Sequence, residues 1–144
     1  MSYRESLESL APNNSIIMME SALSYYRLCT FANQYLVIKN NNIPRRTRTT
    51  TIQMIPTSFG DEDITDYKPS IGRLKITTPE RTICEMIALD GRDDFIVESL
   101  QRYVIYKYDQ SYDYDRLVEV SKKYGVYEKL QQYLEWAYED IEEI

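Results

Sequence analysis

Three groups of residues in this chain have types and spacings that chemistry uses. Asp113-Tyr114-Asp115 puts two carboxylates at the separation of a nucleotidyltransferase metal pair. Such a pair works with a Gly-Ser helix start upstream, and none precedes it at useful distance, so the chain does not read as a nucleotidyltransferase. The wider run Asp109-Gln110-Ser111-Tyr112-Asp113-Tyr114-Asp115 has the outline of a calcium loop. Its sixth position is Tyr114 where the sharp turn needs Gly, and its twelfth is Val120 where the site needs a bidentate Glu, so calcium is rejected. Asp115 is instead expected to cap a helix. The third group, Glu80, Arg81 and Glu85, is the only polar cluster a small enzyme could use, and it reads more simply as the start of a helix.

What is missing narrows the chemistry further. The chain has no histidine, which removes the commonest general base, the commonest metal ligand and every histidine-based triad. It has four glycines, none clustered, so no loop cradles phosphate. Cys29 and Cys84 stand alone, without a C-x-x-C or a third ligand, and are expected to be buried reduced thiols. No catalytic residue, cofactor or metal is expected, and the protein is read as one that binds rather than turns over.

The 144 residues fit a single domain, 1–144, with 43% hydrophobic content and enough length to bury a core without staples. No apolar run approaches the ~20 residues of a membrane span. The N-terminal Met-Ser-Tyr-Arg-Glu lacks the build of a signal peptide, so the expected compartment is the cytoplasm.

The net charge of −6 is unevenly spread. Between Glu20 and Asp61 there is no acid, while Arg27, Lys39, Arg45, Arg46 and Arg48 supply five positive charges, so the remainder totals −11. Either the molecule is dipolar with one basic surface, or the fold pairs these charges across elements. Tyrosine is over-used, with fourteen, nine of them between Tyr103 and Tyr138. Tyr103, Tyr124, Tyr133 and Tyr138 fit helical stripes and are expected to pack. Tyr106, Tyr108, Tyr112 and Tyr114 cluster around a turn and fit no stripe. Together with Arg45, Arg46 and Arg48 they form the expected partner-binding set, because Arg and Tyr are the types that most often anchor interfaces.

The elements that must position these groups follow from periodicity. Residues 1–14 read as a polar lead-in broken at Pro12-Asn13-Asn14, and Ile16 to Leu28 as a helix. Gln34 to Lys39 is β-prone, and Asn40-Asn41-Asn42 is a turn. Arg45 to Thr51 reads as an exposed strand or arm, Ile52 to Pro56 as a second strand, Gly60 to Ser70 as a loop and Arg73 to Thr77 as a third strand. Period 3.6 takes over at Thr78. Its hydroxyl is a good N-cap, Pro79 suits the first helical position, and Glu80 favours the positive end of the dipole. Arg81 is expected in the first turn, held by a carboxylate or by backbone carbonyls. Helical stripes follow through Ile83–Ile87, Phe95–Tyr103, Leu117–Tyr124 and Leu130–Ile141, with Gly125 as a stop. The expected class is α+β: a small three- to four-stranded sheet within 34–77, then a C-terminal block of three to four helices.

The junction Thr77-Thr78-Pro79-Glu80-Arg81-Thr82-Ile83-Cys84-Glu85-Met86-Ile87 resembles the "strand, S/T-P-E-R-T, apolar helix" hallmark of the AbiEi-type antitoxins of bacterial type IV toxin–antitoxin systems, with Glu85 where Asp is usual. Met19-Glu20-Ser21-Ala22-Leu23-Ser24-Tyr25-Tyr26-Arg27-Leu28 is similar to that family's opening helix, with Met19 and Tyr26 where His is common. Ile43-Pro44 and the basic residues after it resemble its "I-P … P-R-G" segment without the glycine. Leu117 to Leu134, with Lys122-Lys123-Tyr124-Gly125-Val126, resembles its closing helical pair. The resemblance runs over residues ~15–140 as motifs in order. Members usually begin with a winged helix–turn–helix domain that binds their promoter, and about fourteen residues before the opening helix are too few for one. The resemblance therefore implies the C-terminal antitoxin domain standing alone, neutralising a nucleotidyltransferase-like toxin. The family's antitoxins are not generally thought to hold the toxin in a tight complex, so the route of neutralisation stays open. An alternative from another class is a phage or mobile-element inhibitor that uses this domain to bind a host defence protein.

With five clustered basic residues in an acidic chain, binding to promoter DNA is expected to be weak and salt-sensitive, or absent. A filter-binding titration at physiological salt checks this, and sequence-specific nanomolar binding contradicts it.

Overall fold

The computed structural model describes residues 11–30, 35–39, 47–48, 52–54, 60, 62–68 and 72–142. Strand β1 (Ile16–Ile17) is followed by helix α1 (Met19–Tyr25) and by strands β2 (Leu36–Lys39), β3 (Thr47–Arg48), β4 (Ile52–Met54), β5 (Ile64–Asp66) and β6 (Lys75–Thr77). Four helices then follow: α2 (Pro79–Ala88), α3 (Asp93–Leu100), α4 (Tyr114–Lys123) and α5 (Tyr127–Glu142). The strands form one mixed sheet in the order β3-β4-β2-β1-β6-β5. β1 runs parallel to β6 and β2 parallel to β4, and the other neighbours are antiparallel. This is the expected α+β class, with four strands of three or four residues, two further strands of two residues each, and a helical C-terminal part.

Three boundaries differ from the periodicity reading. Ile16 and Ile17 are not helical. They pair with Lys39 and Ile38 on one side and with Lys75 and Ile76 on the other, which buries two β-branched side chains in mid-sheet. The expected loop at 60–70 contains β5, an edge strand whose Thr65 and Asp66 face water, so its polar composition hides the pairing with β6. Asp113, not Asp115, caps α4, its carboxylate accepting from the N–H groups of Asp115 and Arg116.

One apolar cluster lies on the sheet, with Ile17, Leu36, Ile38, Leu74, Ile76 and Tyr67 at its centre. The larger one joins α1 to the C-terminal helices through Leu23, Ile83, Met86, Leu100, Leu117 and Leu130. α2 is the axis of the second cluster and packs against α1, α3, α4 and α5. Every residue from Glu80 to Ile87 is buried, three charged side chains included. The Thr78 hydroxyl accepts from Arg81 N at 3.3 Å and closes the helix start as its sequence implies.

Arg81 is 1% exposed, and its Nε and Nη1 are both hydrogen-bonded. Nε donates to Glu85 Oε1 at 3.0 Å, and Nη1 donates to the carbonyls of Gly60 at 2.7 Å and Glu62 at 2.5 Å. The segment it grips is fastened again from the far side. Lys123 pairs with Glu62 and with Asp63 (2.9 Å), Tyr124 OH donates to Asp63 Oδ2 at 3.1 Å, and Thr78 N donates to Asp63 O at 2.9 Å. One arginine thus links the edge of the sheet, the start of α2 and the end of α4. Burial pushes the Glu85 carboxyl above the ordinary range, with Arg81 opposing the rise, and Glu85 Oε2 has no hydrogen-bond partner among the described residues.

Arg81→Ala is expected to lower stability by about 3–5 kcal/mol, because it leaves a buried carboxylate unpaired. The loss depends on pH. Without Arg81 the folded pKa of Glu85 rises further, so the part of the loss due to the unpaired carboxylate is absent below the unfolded value and grows as pH climbs toward the folded one, on top of a pH-independent part from the lost bonds to Gly60 and Glu62. Thermal melts should show a smaller deficit at pH 5 than at pH 8, and a deficit independent of pH contradicts this. The double change Arg81→Leu, Glu85→Leu removes both charges and is expected to cost less than Arg81→Ala alone.

Candidate functional site

The tyrosine-rich turn begins where α3 widens. After Leu100 the helix continues as a π-helical turn, Gln101–Ile105, in which Tyr106 N bonds to Gln101 O at 2.8 Å. A π turn swings the following residues off the regular helical face. Lys107 then takes a left-handed φ of 49° and reverses the chain. Asp109 Oδ1 accepts from Ser111 N at 2.8 Å and Ser111 Oγ at 2.6 Å, which shapes the turn and holds the Asp109 carboxyl below the usual carboxylate range. Asp113 then caps α4.

This backbone path sorts the tyrosines into two sets. Tyr103 points inward and is 1% exposed. Its hydroxyl lies 2.8 Å from Glu80 Oε2 and 2.9 Å from Asp113 O, and accepts from Asp113 N at 3.1 Å. Burial, with the Glu80 carboxylate beside it, pushes this phenol well above its ordinary pKa. Arg116 Nε sits 3.3 Å from the other Glu80 oxygen. Tyr112 stacks on Tyr103 with ring centres 4.4 Å apart, and its hydroxyl donates to Tyr26 O at 3.3 Å. Burial pushes the Tyr112 hydroxyl up to about 12. Tyr26 OH donates to Thr77 O at 2.7 Å, which returns the chain of contacts to the α2 junction. Glu80, Arg81 and Glu85 are therefore each engaged by neighbours inside the protein. Cys84 lies buried beside them with its thiol pushed up by desolvation, and both cysteines are free and buried.

The outward set contains Tyr106 at 50% and Tyr108 at 64% exposure, their ring centres 5.8 Å apart and Arg102 over the second ring at 5.6 Å. Tyr114, the first residue of α4, is also exposed. Of the four turn tyrosines expected at a partner surface, the fold thus presents Tyr106, Tyr108 and Tyr114 and tucks Tyr112 half under. Arg45 and Arg46 lie outside the described residues. Arg48 is described only as backbone, paired with Gln53 between β3 and β4.

Other exposed aromatics lie outside the expected partner set, among them Trp136 and Tyr138. Trp136 stands out from α5, edge-on to Tyr133 at 5.1 Å. Tyr138, expected to pack in the α5 stripe, is 48% exposed. The buried line of that helix runs through Leu130, Leu134 and Ala137, and Tyr138 falls on its rim. There it walls a groove of about 430 Å³ whose other surfaces are Val104, Lys107, Tyr114, Leu134 and Glu135. Gln131 Nε2 donates to Tyr114 OH at 3.4 Å across it.

Among the described residues no group of His, Cys, Asp and Glu is placed to hold a metal ion, and no helix is long and apolar enough to cross a membrane. The sequence matches no family model and no curated protein.

The sorting of tyrosines has a direct consequence. Tyr103→Phe leaves the buried Glu80 oxygen without its donor and is expected to cost about 1–3 kcal/mol in denaturant melts. Tyr106→Ala and Tyr108→Ala should change stability by no more than about 0.5 kcal/mol each. The reverse ranking contradicts the division.

Proposed function

We propose that this protein is an antitoxin-like domain of the AbiEi type that neutralises a nucleotidyltransferase-like toxin in the cytoplasm through binding rather than catalysis. One observation carries the reading. The Thr78-Pro79-Glu80-Arg81 run, on which the resemblance centres, is the buried strand-to-helix junction that ties the sheet to the helices, with Arg81 gripping the carbonyls of Gly60 and Glu62. A motif so used is a structural signature, and it leaves function to the surface.

That surface offers binding groups and little to catalyse with. Glu80, Arg81 and Glu85 are each held by internal contacts and are no more than 5% exposed. The exposed turn and helix rims carry Tyr106, Tyr108, Tyr114 and Tyr138, residues with large contact area and low ordering cost.

The test is rescue. The protein is co-expressed with a panel of type IV nucleotidyltransferase-like toxins, including the toxin encoded nearest its own gene, and growth is scored. Restored growth against at least one toxin, at unchanged toxin level, is the expected result. No rescue from any of them, with the protein folded in the cell, overturns the reading.

A further inference from the structure

We propose that the groove between the start of α4 and the middle of α5 docks a basic, aliphatic segment of a partner protein: a Leu- or Val-like side chain between Tyr114 and Tyr138, flanked by Lys or Arg. The inference rests on the reading above only in taking the protein to act by binding, and it adds where and what it binds.

Shape comes first. Leu134, 5% exposed, and half-buried Val104 provide apolar surface, and the exposed rings of Tyr114 and Tyr138 stand as its sides. At about 430 Å³ the groove has the size of a site that takes a few side chains rather than a large ligand. Two large aromatics facing water across a concavity gain by being covered. The site is also fixed in advance. Tyr114 is the first residue of a helix capped by Asp113, its hydroxyl is bonded to Gln131, and Tyr138 belongs to a sixteen-residue helix. Little ordering cost remains for binding.

Charge then selects the occupant. Glu135 lies in the groove, and Asp113 and Asp115 line its continuation, which shares Val104, Lys107 and Tyr114 with it. Lys107 is the one cation of that lining. From Gln101 to Glu142, the stretch that supplies the whole lining, the sequence holds nine acidic and six basic residues, so the surrounding field is negative. A cationic segment is steered toward it and an acidic one repelled. Tyrosine faces strengthen the choice, because they attract ammonium and guanidinium groups. Neighbouring tyrosines already do so within the protein, with Arg102 over Tyr108 at 5.6 Å and Lys122 over Tyr127 at 5.1 Å.

The probe is a pair of short fluorescein-labelled peptides, one with two leucines among Lys and Arg, the other its twin with Glu at every cationic position. Fluorescence anisotropy against the full chain is expected to show binding of the basic peptide, and of its twin at least about tenfold more weakly. Tyr114→Ser and Tyr138→Ser should each weaken the basic peptide by roughly tenfold while leaving thermal melts unchanged. Glu135→Lys, which leaves the apolar surface in place, should weaken it by about fivefold or more and reduce the salt dependence. Equal binding of the two peptides, no binding of the basic one, or affinity indifferent to all three substitutions overturns the proposal. So does a dimer in sedimentation that these substitutions dissolve, since the occupant is then a second copy. Failure of the peptide with toxin rescue intact removes the groove and leaves the antitoxin reading standing. Peptide binding without rescue of any toxin does the reverse.

Discussion

A buried guanidinium is costly without partners, and the arrangement around Arg81 supplies them to Nε and Nη1. The side chain lies against α2, where a carboxylate one turn on meets Nε. The remaining charge calls for carbonyl oxygens, and these come from Gly60 and Glu62, in the segment that leads into the edge strand β5. Drawing that segment in brings Asp63 to the α2 cap and within reach of Lys123 and Tyr124 at the end of α4. The sheet edge, the central helix and the closing helical pair therefore share one electrostatic knot. Such a knot is costly to break from one side only.

The parts of the fold that local chemistry dictates were legible in the sequence. Thr78 and Pro79 set the start of α2, and Gly125, at a φ of 71°, ends α4 as its position implies. The change from strands to helices at that junction is the α+β division itself. The parts that depend on distant partners were not legible. Ile16 and Ile17 carry no strand signal of their own, because two residues show no period, and they become β1 only between β2 and β6. β5 is polar because it lies at an edge. For the tyrosines, spacing separated turn residues from stripe residues, yet Tyr112 folds under onto Tyr103 and Tyr138 rides on the rim of its stripe. The π turn and the left-handed Lys107 set the direction of Tyr112, and neither has a sequence signature; Tyr138 sits beside the buried line through Leu134 and Ala137.

Read as function, the molecule divides its chemical groups between two tasks. The charged residues of the junction and the inward tyrosines 26, 103 and 112 are joined in one internal network through Glu80 and Thr77. Of the outward tyrosines, Tyr114 and Tyr138 lie on helices, Tyr106 and Tyr108 on the turn before α4, and all four are exposed. If the outward tyrosines carry recognition as proposed, stability and recognition are separable by mutation, which a protein using the same carboxylates for both would not allow. Resemblance to the AbiEi antitoxins supplies a biological setting for that division, and the division stands on geometry without it.

The most direct measurement sets protection from a toxin against folding free energy for two series of variants. One series alters Arg81, Glu85 and Tyr103, and the other alters Tyr106, Tyr108, Tyr114 and Tyr138. The account predicts two separate relations. Junction variants lose protection only as their folded fraction falls, and surface variants lose it at unchanged stability. A single common curve through both series, with protection following stability alone, contradicts it.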